Sequence, residues 1–307
     1  MKKESKSFIS LVFILFLLVL TGVSAYSSDL YIDYLDGFLD IKTPGGWEEL
    51  FIGDEIPSGS IIKLDMDSVA ELSSGSSVVT LSKEGTYRID DLLNESNKMS
   101  SAGFGNLIAG KLENMVRESD MQEASAVGGV RAAEVDTGDD LEWISSETEE
   151  LLETGKNLLS QEKYEEALGV FREALDFSDF DEESEVYFYL GLTYDLMGKP
   201  GRAISNLNSA ELDSSTDFYH DLAILKGKLL VQTFDYEGAL SWLDDYISAN
   251  KNNMSAEDQV QTARYLSAFA YSGLGEVSKA KETLQETIRT KPNSDTAEAA
   301  KSFLNKL

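Results

Sequence analysis

Side chains that could act in catalysis are few in this 307-residue chain. His220 is the only histidine in the sequence, which contains no cysteine. This excludes thiol nucleophiles, CxxC redox centres and zinc sites built from several histidines. A Ser-His-Asp triad would have to use His220, whose neighbours Tyr219 and Asp221 are more typical of a surface or helix-capping position. Gly103-Phe104-Gly105 is too short for a phosphate-binding loop and follows no strand. We therefore predict a protein that is not an enzyme and needs no cofactor.

Carboxylates are too abundant in this chain to mark a site. There are 55 Asp and Glu against 26 Lys and Arg, and the net charge is −29. Such a charge argues against nucleic acid as a partner, because phosphate binding needs an excess of basic residues. The densest acidic loop could attract calcium through Asp179, Asp181, Glu182, Glu183 and Glu185. Their spacing matches no EF-hand loop, so we interpret the loop as solvated and predict no metal site.

The clearest organisation is a helical pattern that occurs four times in residues 148–287. Each copy has a small residue on its first helix and an apolar set on its second helix, at helical spacing. The small residues are Gly155, Gly191, Gly227 and Ala268, and the second-helix sets are Ala167, Phe171 and Ala174; Ala203, Leu207 and Ala210; Ala239, Leu243 and Tyr246; Ala280 and Leu284. The small residue is expected where the two helices cross, since a larger side chain would push their backbones apart.

This pattern resembles the tetratricopeptide repeat family. The copies start near Thr148, Ser184, His220 and Gln261, slightly further apart than the family's spacing of about 34 residues. The Trp that is usual near the start of a repeat is replaced by Leu151, Tyr187, Ala223 and Arg264. The resemblance implies an all-α solenoid of four repeats over residues 148–293, closed by a capping helix at 294–307.

The resemblance also implies a concave groove lined by the first helices of the repeats. Transferred onto this sequence, the lining consists of Leu152, Lys156, Phe188, Leu192, Asp195, Ile224, Lys228, Tyr265 and Phe269. The family's clamp for a C-terminal carboxylate needs an ordered set of Lys, Asn and Arg, whereas these positions are mostly apolar. We therefore expect the groove to bind a peptide or protein segment with apolar anchors. The alternative is that some of these side chains pack against a neighbouring repeat or the N-terminal domain.

Residues 30–90 follow a different pattern, with short period-two runs interrupted by Gly, Pro and Ser. Ile62, Leu64 and Met66 fall on one side of such a run, and Ile61, Lys63 and Asp65 fall on the other. Interruptions recur every ten to fifteen residues or so, which is typical of short antiparallel strands. The pattern predicts a small antiparallel β domain of the sandwich or roll type.

The order of residues in this region resembles the periplasmic domain of FecR-type proteins. The matching segments are 47–50, 53–56, 59–62, 67–72, 75–76 and 79–81, with a second signature at 127–135. The resemblance covers residues 29–136, including an inserted helix with an apolar face at 107–116, and an acidic linker follows at 137–147. It implies an extracytoplasmic interaction or sensing domain. In that family a cytoplasmic regulator of sigma factors and a transmembrane helix precede the domain. Neither fits here, where the domain follows a predicted signal segment, so direct control of transcription is not expected.

The start of the chain predicts export. Lys2, Lys3 and Lys6 precede an apolar run over residues 11–20, and Val23-Ser24-Ala25 supplies the small residues that a signal peptidase accepts. The run is short for a membrane span, so a signal peptide over residues 1–25, cleaved after Ala25, is favoured over a retained anchor. A lipid anchor would need a cysteine. The protein is therefore expected to be periplasmic or secreted, and not an integral membrane protein after cleavage.

The predicted fold class is α+β multidomain, with an N-terminal antiparallel β domain and a C-terminal all-α solenoid. We expect an exported, non-enzymatic interaction scaffold or adaptor whose partner is an envelope protein or peptide. A wall or surface glycan is a further candidate partner for the β domain. The alternative is an envelope sensory or regulatory component that signals through the FecR-like domain. An envelope hydrolase is disfavoured because the usual nucleophiles and metal ligands are missing.

Overall fold

The computed structural model describes residues 30–74, 77–101, 140–179 and 182–307. Over these ranges the chain forms antiparallel sheets first and helices afterwards, which confirms the predicted succession of a β region and a helical region. The signal segment, the inserted helix at 107–116 and the second signature at 127–135 lie outside the described residues.

The described part of the β domain is a two-sheet sandwich. Its strands are β1 (Leu30–Asp36), β2 (Leu39–Thr43), β3 (Gly46–Glu49), β4 (Glu55–Ile56), β5 (Ile61–Leu64), β6 (Val69–Ser74), β7 (Ser77–Leu81) and β8 (Gly85–Arg88). The first sheet, called sheet A, has the order β4-β1-β6-β7, and sheet B has the order β3-β2-β5-β8. All neighbouring strands are antiparallel.

The core of the sandwich follows the period-two pattern. Ile62 and Leu64 of β5 are buried, whereas Lys63 between them is partly exposed. Successive side chains of a strand point to opposite faces, so the apolar set of sheet B meets the buried Ile32 and Leu72 of sheet A. Met66, predicted on the same side as Leu64, lies beyond the end of β5 and is 70% exposed.

The helices form four hairpins after a first helix, α1 (Ile89–Ser101). The hairpins are α2 (Asp140–Ser160) with α3 (Tyr164–Phe177), α4 (Glu183–Leu196) with α5 (Pro200–Ser209), α6 (Tyr219–Gln232) with α7 (Tyr236–Asn250), and α8 (Glu257–Gly273) with α9 (Val277–Thr290); α10 (Asp295–Leu304) follows them. Helix α2 begins within the segment predicted as a linker at 137–147. Acidic residues are compatible with this because the first turn of a helix favours negative charge.

The small residues lie where the helices of a hairpin cross, as predicted. A Cβ atom added to these glycines would lie 2.3–2.5 Å from a side chain of the second helix: Gly155 from Phe171, Gly191 from Leu207, and Gly227 from Leu243. Carbon atoms that are not bonded pack at about 3.5–4.0 Å, so a side chain at these positions would separate the helices. In the fourth hairpin, Ala268 is fully buried.

Each hairpin turns through a residue with positive φ, two residues after its first helix ends. Gly198 (φ 70°) and Gly275 (φ 75°) occupy this position in two hairpins, and Glu162 (φ 59°) and Phe234 (φ 63°) occupy it in the other two. The left-handed conformation costs a non-glycine residue roughly 1–2 kcal/mol. The geometry is therefore kept even where the sequence does not supply a glycine.

Candidate functional site

The residues predicted to line the groove are almost all buried. Leu152, Phe188, Leu192, Ile224, Lys228, Tyr265 and Phe269 are each at most 7% exposed, and the side chains of Asp195 and Lys156 are 4% and 16% exposed. An open groove would leave such side chains accessible, and the structure does not. The predicted alternative of packing therefore describes these residues better, and their role in binding a partner stays a prediction that no finding tests.

Helix α4 places Phe188 in an aromatic cluster. Its ring stacks on Phe218 with the centroids 5.3 Å apart, and it meets the ring of Tyr189 edge to face at 4.9 Å. Phe218 directly precedes α6, so this stack joins the second hairpin to the third. Aromatic pairs of this kind contribute about 0.5–1.5 kcal/mol beyond the burial of their area. Phe188 thus stabilises the stacking of repeats.

A buried ion pair also joins these two hairpins. Lys228 Nζ on α6 lies 2.5 and 2.6 Å from the two carboxylate oxygens of Asp195 on α4, and both side chains are less than a tenth exposed. Each charge is stable in the interior only because the other is present. The pair fixes the position of one repeat relative to the next and leaves neither charge accessible to a ligand.

Lys156 is the most accessible of the predicted groove residues. Its ammonium group lies 2.8 Å from the carboxylate of Glu185 and 4.9 Å from the centre of the Tyr189 ring. Burial raises the pKa of Tyr189 to about 12, so this phenol stays neutral at physiological pH. Lys156 therefore connects the first hairpin to the second.

The last predicted groove residues pack against the cap. The rings of Tyr265 and Phe269 meet edge to face at 5.2 Å, and Phe269 stacks on Phe303 of α10 at 4.1 Å. Tyr265 is fully buried, and within the described part of the chain its hydroxyl has no hydrogen-bond partner. Burial raises the pKa of Tyr265 to about 12. Such a hydroxyl loses its hydrogen bonds to water without replacement, which is unfavourable.

His220 makes structural contacts. Its Nδ1 lies 2.7 Å from the Tyr246 hydroxyl, and its ring meets Tyr219 and Tyr246. Burial lowers the pKa of His220, so the ring is neutral near pH 7. Its hydrogen bond to Tyr246 joins the two helices of the third hairpin, α6 and α7.

The acidic loop after α3 is only partly described, since Asp181 lies outside the described residues. The backbone N–H of Glu182 donates to the Asp179 carboxylate at 3.2 Å, so part of the negative charge stabilises the local turn. Among the residues that the structure describes, no group of three or more His, Asp or Glu side chains is arranged to hold a metal ion.

A contact that the sequence did not predict joins the β domain to the repeats. The backbone N–H of Gly201, in the first turn of α5, donates to Oε1 of Glu71 at 2.6 Å. Glu71 lies on β6 and is only 6% exposed. The first N–H groups of a helix have no partner within it, and the helix dipole favours a negative charge there. A carboxylate of the β domain therefore caps a helix of the repeat array.

The same contact affects the protonation of Glu71. Burial is the main influence on its carboxyl group and raises the pKa of Glu71.

Further contacts extend this junction over the second and third hairpins. Next to Glu71, the Tyr34 hydroxyl donates to Ser205 Oγ at 3.3 Å, and the Arg202 guanidinium lies 5.2 Å from the centre of the Tyr34 ring. At the third hairpin the hydroxyl groups of Ser82 and Thr233 are 2.5 Å apart. There, Lys83 of the β domain pairs with Glu237, and the Tyr236 hydroxyl lies 3.5 Å from Glu95 of α1. Sheet A thus lies against the edge of the array, where first helices end and second helices begin.

The exposed apolar side chains lie mainly on the β domain. Over the described residues they are Tyr31, Phe38, Trp47, Phe51, Ile52, Met66 and Val78 in this domain, against Phe177, Met254 and Val277 in the repeats. Phe51 and Phe38 are each 59% exposed, and Met66 is 70% exposed. Contiguous exposed apolar surface on a monomer commonly marks an interaction site. The sequence contained a signal for part of it, because Trp47 and Phe51 are four residues apart and a period-two pattern places such residues on the same face.

Comparisons with known proteins support the repeat assignment. A family model described as "Tetratricopeptide repeat" matches residues 262–294, which span most of α8, all of α9 and the turn after it. No curated protein matches the chain. Similar solved structures include MamA from Desulfovibrio magneticus RS-1, with 19% identity over 56% of this chain and 94% of that chain and a TM-score of 0.40. The apo form of RapI shares 15% identity over 61% of this chain and 52% of that chain, with a TM-score of 0.45.

A thermophilic TPR protein of Thermus thermophilus has a TM-score of 0.35, with 19% identity over 52% of this chain and 82% of that chain. At these TM-scores the solved structures carry no part of the assignment. The assignment therefore rests on the family match and on the hairpins with their closely packed glycine crossings. The matched residues do not reach the β domain, and its likeness to FecR-type proteins remains a hypothesis.

Proposed function

We propose that the protein is an exported, non-enzymatic scaffold for protein–protein interaction. The observation that carries this proposal is the array of stacked hairpins, whose crossings at Gly155, Gly191 and Gly227 leave no room for a side chain. Arrays of this kind present extended surfaces for binding other proteins. The chain's lack of cysteine and its single histidine are consistent with a role that involves no chemistry.

The proposal includes the location of the protein. The basic start, the apolar run at 11–20 and the small residues up to Ala25 support export to the periplasm or beyond. Over the described residues, no helix has the length and apolar character needed to span a membrane. Partners would then be envelope proteins or peptides.

The junction between the β domain and the repeats supports a scaffold that acts as one body. Glu71 caps α5, and Lys83 pairs with Glu237, so a partner on either domain would be held at a fixed place relative to the other. An apolar peptide in the predicted groove would require Phe188 and Phe269 to become accessible. Their burial favours partners on outer surfaces.

A sensory role is the second candidate function. In this version the β domain is FecR-like and responds to a ligand, and the Glu71 contact to α5 is the observation that favours it. A change in sheet A would reach the second repeat directly through that contact. Deletion of residues 29–136 that changes a transcriptional response while partner binding persists would support the sensor.

The scaffold proposal is tested by crosslinking in the native host. The full chain, tagged after Leu307, is crosslinked in living cells, recovered and analysed by mass spectrometry. We expect recovery from the envelope fraction together with envelope proteins. A matched variant with two aspartates in the apolar run at 11–20 should remain in the cytoplasm and lose those partners. Recovery of the unaltered chain from the cytoplasm with cytoplasmic partners would contradict the proposal.

A further inference from the structure

Exposed apolar side chains on the outer face of sheet B and in the turns beside it form what we call the apolar strip. Phe38, Trp47 and Phe51 belong to the face, and Ile52 and Met66 lie in the turns that follow β3 and β5. Phe38 and Phe51 flank the buried Leu39 and Leu50, whose backbones are joined by a hydrogen bond of 2.8 Å. Since successive side chains alternate, Phe38 and Phe51 point away from the core. Trp47 lies four residues before Phe51 in the chain, so alternation places it on the same outer face. There, Nζ of Lys42, its partner on β2, lies 5.9 Å from the centre of the Trp47 ring.

The strip lies on the side of the sandwich that the repeats do not cover. Sheet A carries Tyr34 and Glu71 against the array, so the outer face of sheet B points in the opposite direction. The exposed fractions of Phe38, Phe51 and Ile52 are 59–62%. Burial of such side chains by a partner is favourable because their apolar area leaves water. The strip therefore has substantial apolar surface to offer to a partner.

The backbone next to the strip is also open. Strand β3 lies at one end of sheet B and pairs only with β2 among the described strands, and all four of its residues are exposed. An exposed edge strand can add a further strand from another chain, with main-chain hydrogen bonds supplying affinity and alternate side chains supplying specificity. A strand added at this edge would lie beside Trp47 and Phe51.

The charges around the strip indicate the chemistry of that strand. Asp40 and Glu49 are paired two residues from the Lys42–Trp47 pair and alternate with the buried Leu39 and Leu50, so their carboxylates share the outer face with the strip. Asp36, Glu48, Asp54 and Asp67 lie within two residues of strip residues in the sequence. Two lysines lie on the strands of sheet B: Lys42 approaches the Trp47 ring, and Lys63 lies 2.5 Å from Asp65, so carboxylates remain in excess around the strip. Complementary potential steers association and disfavours acidic partners. A segment that alternates apolar residues with Lys or Arg matches both the strip and this acidic surrounding.

We propose that the edge of β3 and the apolar strip bind an extended polypeptide segment in which apolar residues alternate with Lys or Arg. The segment adds to sheet B as an antiparallel or parallel fifth strand, and its apolar side chains cover Trp47, Phe51 and Phe38. This inference rests on the proposed scaffold function and names the partner's chemistry and its place on the molecule.

The test uses the full chain and a fluorescein-labelled ten-residue peptide that alternates lysine with valine and leucine, followed by fluorescence anisotropy. Binding should weaken about tenfold or more in the double variant Phe38→Ser/Phe51→Ser and also in Trp47→Ser. The matched control Met254→Ser removes an apolar side chain that is 93% exposed on the array, and it should bind like the unaltered chain. N-methylation of alternate peptide amides should abolish binding, as strand addition requires.

Several results would overturn the proposal. Equal binding of the peptide by the double variant and the unaltered chain would exclude the strip, and equal binding of a peptide with glutamate for lysine would exclude the charge argument. Retention on insoluble polysaccharide that depends on Trp47, without peptide binding, would reassign the face to a glycan. A dimer in sedimentation that is lost in the double variant would instead identify a second copy as the occupant. Envelope partners that still crosslink to the double variant would leave the scaffold function intact.

Discussion

The two regions of this protein use their apolar side chains in opposite ways. In the repeat array Phe188 and Phe269 are 2% and 5% exposed, although their positions in the repeat predict a lining for a groove. In the β domain Phe38 and Phe51 are each 59% exposed. The comparison teaches that repeat position alone does not identify a binding surface. The apolar side chains of the array hold its repeats together, and those on the face of sheet B supply accessible apolar area.

The buried ion pair gives the largest expected effect. Lys228→Ala leaves Asp195 as an uncompensated charge in the interior, so we expect the free energy of unfolding to fall by about 3–5 kcal/mol in urea denaturation. Lys63→Ala removes the partner of Asp65 in the β domain, where both side chains are 43% exposed, and should leave the stability almost unchanged because water screens the pair. A loss of about 1 kcal/mol or less for Lys228→Ala would show that the Lys228 site is open to solvent.

Truncation of matched phenylalanines tests the comparison directly. Phe269→Ala removes the ring that stacks on Phe303 and should destabilise the protein by about 3–5 kcal/mol. Phe51→Ala should change the stability by about 0.5 kcal/mol or less, because the ring is largely in solvent already. Urea midpoints for both variants measure the difference. If Phe269→Ala were as mild as Phe51→Ala, the predicted groove would be accessible after all.

Two glycines of the first hairpin test how closely its helices pack. A Cβ atom on Gly155 would lie 2.3 Å from the Phe171 ring, whereas one on Gly169 would meet nothing within 4 Å. Overpacking typically costs 1–3 kcal/mol or so, so Gly155→Ala should lower the thermal midpoint. Gly169→Ala should raise the stability by about 0.5–1 kcal/mol, because alanine favours a helix. Stabilisation by both substitutions would show that the crossing is looser than the glycine spacing implies.

Tyr265→Phe should be mildly stabilising, by about 1 kcal/mol. The Tyr265 hydroxyl is buried without a partner in the described part of the chain, and its removal relieves the cost of that desolvation. Phe replaces the ring without loss of the edge-to-face contact with Phe269. Chemical denaturation of the two proteins side by side measures the change. A loss of more than about 1 kcal/mol would mean that the hydroxyl has a partner, such as a water molecule.

The smallest effect concerns the junction between the regions. Burial raises the pKa of Glu71 above its ordinary value of 4.5, so the folded state binds a proton at this carboxyl group more readily than the unfolded state. The stability of the unaltered chain relative to Glu71→Gln should therefore increase as the pH falls through the raised pKa, and should level off below about 4.5. Paired denaturation curves between about pH 7 and 4 measure this difference. A decrease over the same interval would mean that the bond to Gly201 outweighs burial.

The repeat array was largely predictable because its contacts are local in sequence. Gly155 and Phe171 are partners within one hairpin, and helical spacing is enough to bring them together. The burial of Phe188 and Phe269 was not predictable from repeat position, since it depends on the rings of Phe218 and Phe303 in later elements.

The junction could not be predicted for a similar reason. Glu71 and Gly201 are 130 positions apart in the chain, and no periodicity links a strand of one domain to a helix end of another. The common face of Trp47 and Phe51 was within reach of the sequence, because the period-two alternation of β3, continued through Leu50, places them together. Only the structure shows that this face points away from the array.

Oxidative footprinting tests the central claim most directly. Hydroxyl radicals modify accessible aromatic and methionine side chains, and mass spectrometry of the full chain gives a rate for each residue. The account predicts fast oxidation of Phe38, Phe51 and Met66 and rates about tenfold lower for Phe188 and Phe269, in line with the exposed area of each side chain. Equal rates for Phe269 and Phe51 would contradict the claim that sheet B, rather than the repeat groove, presents the accessible apolar surface.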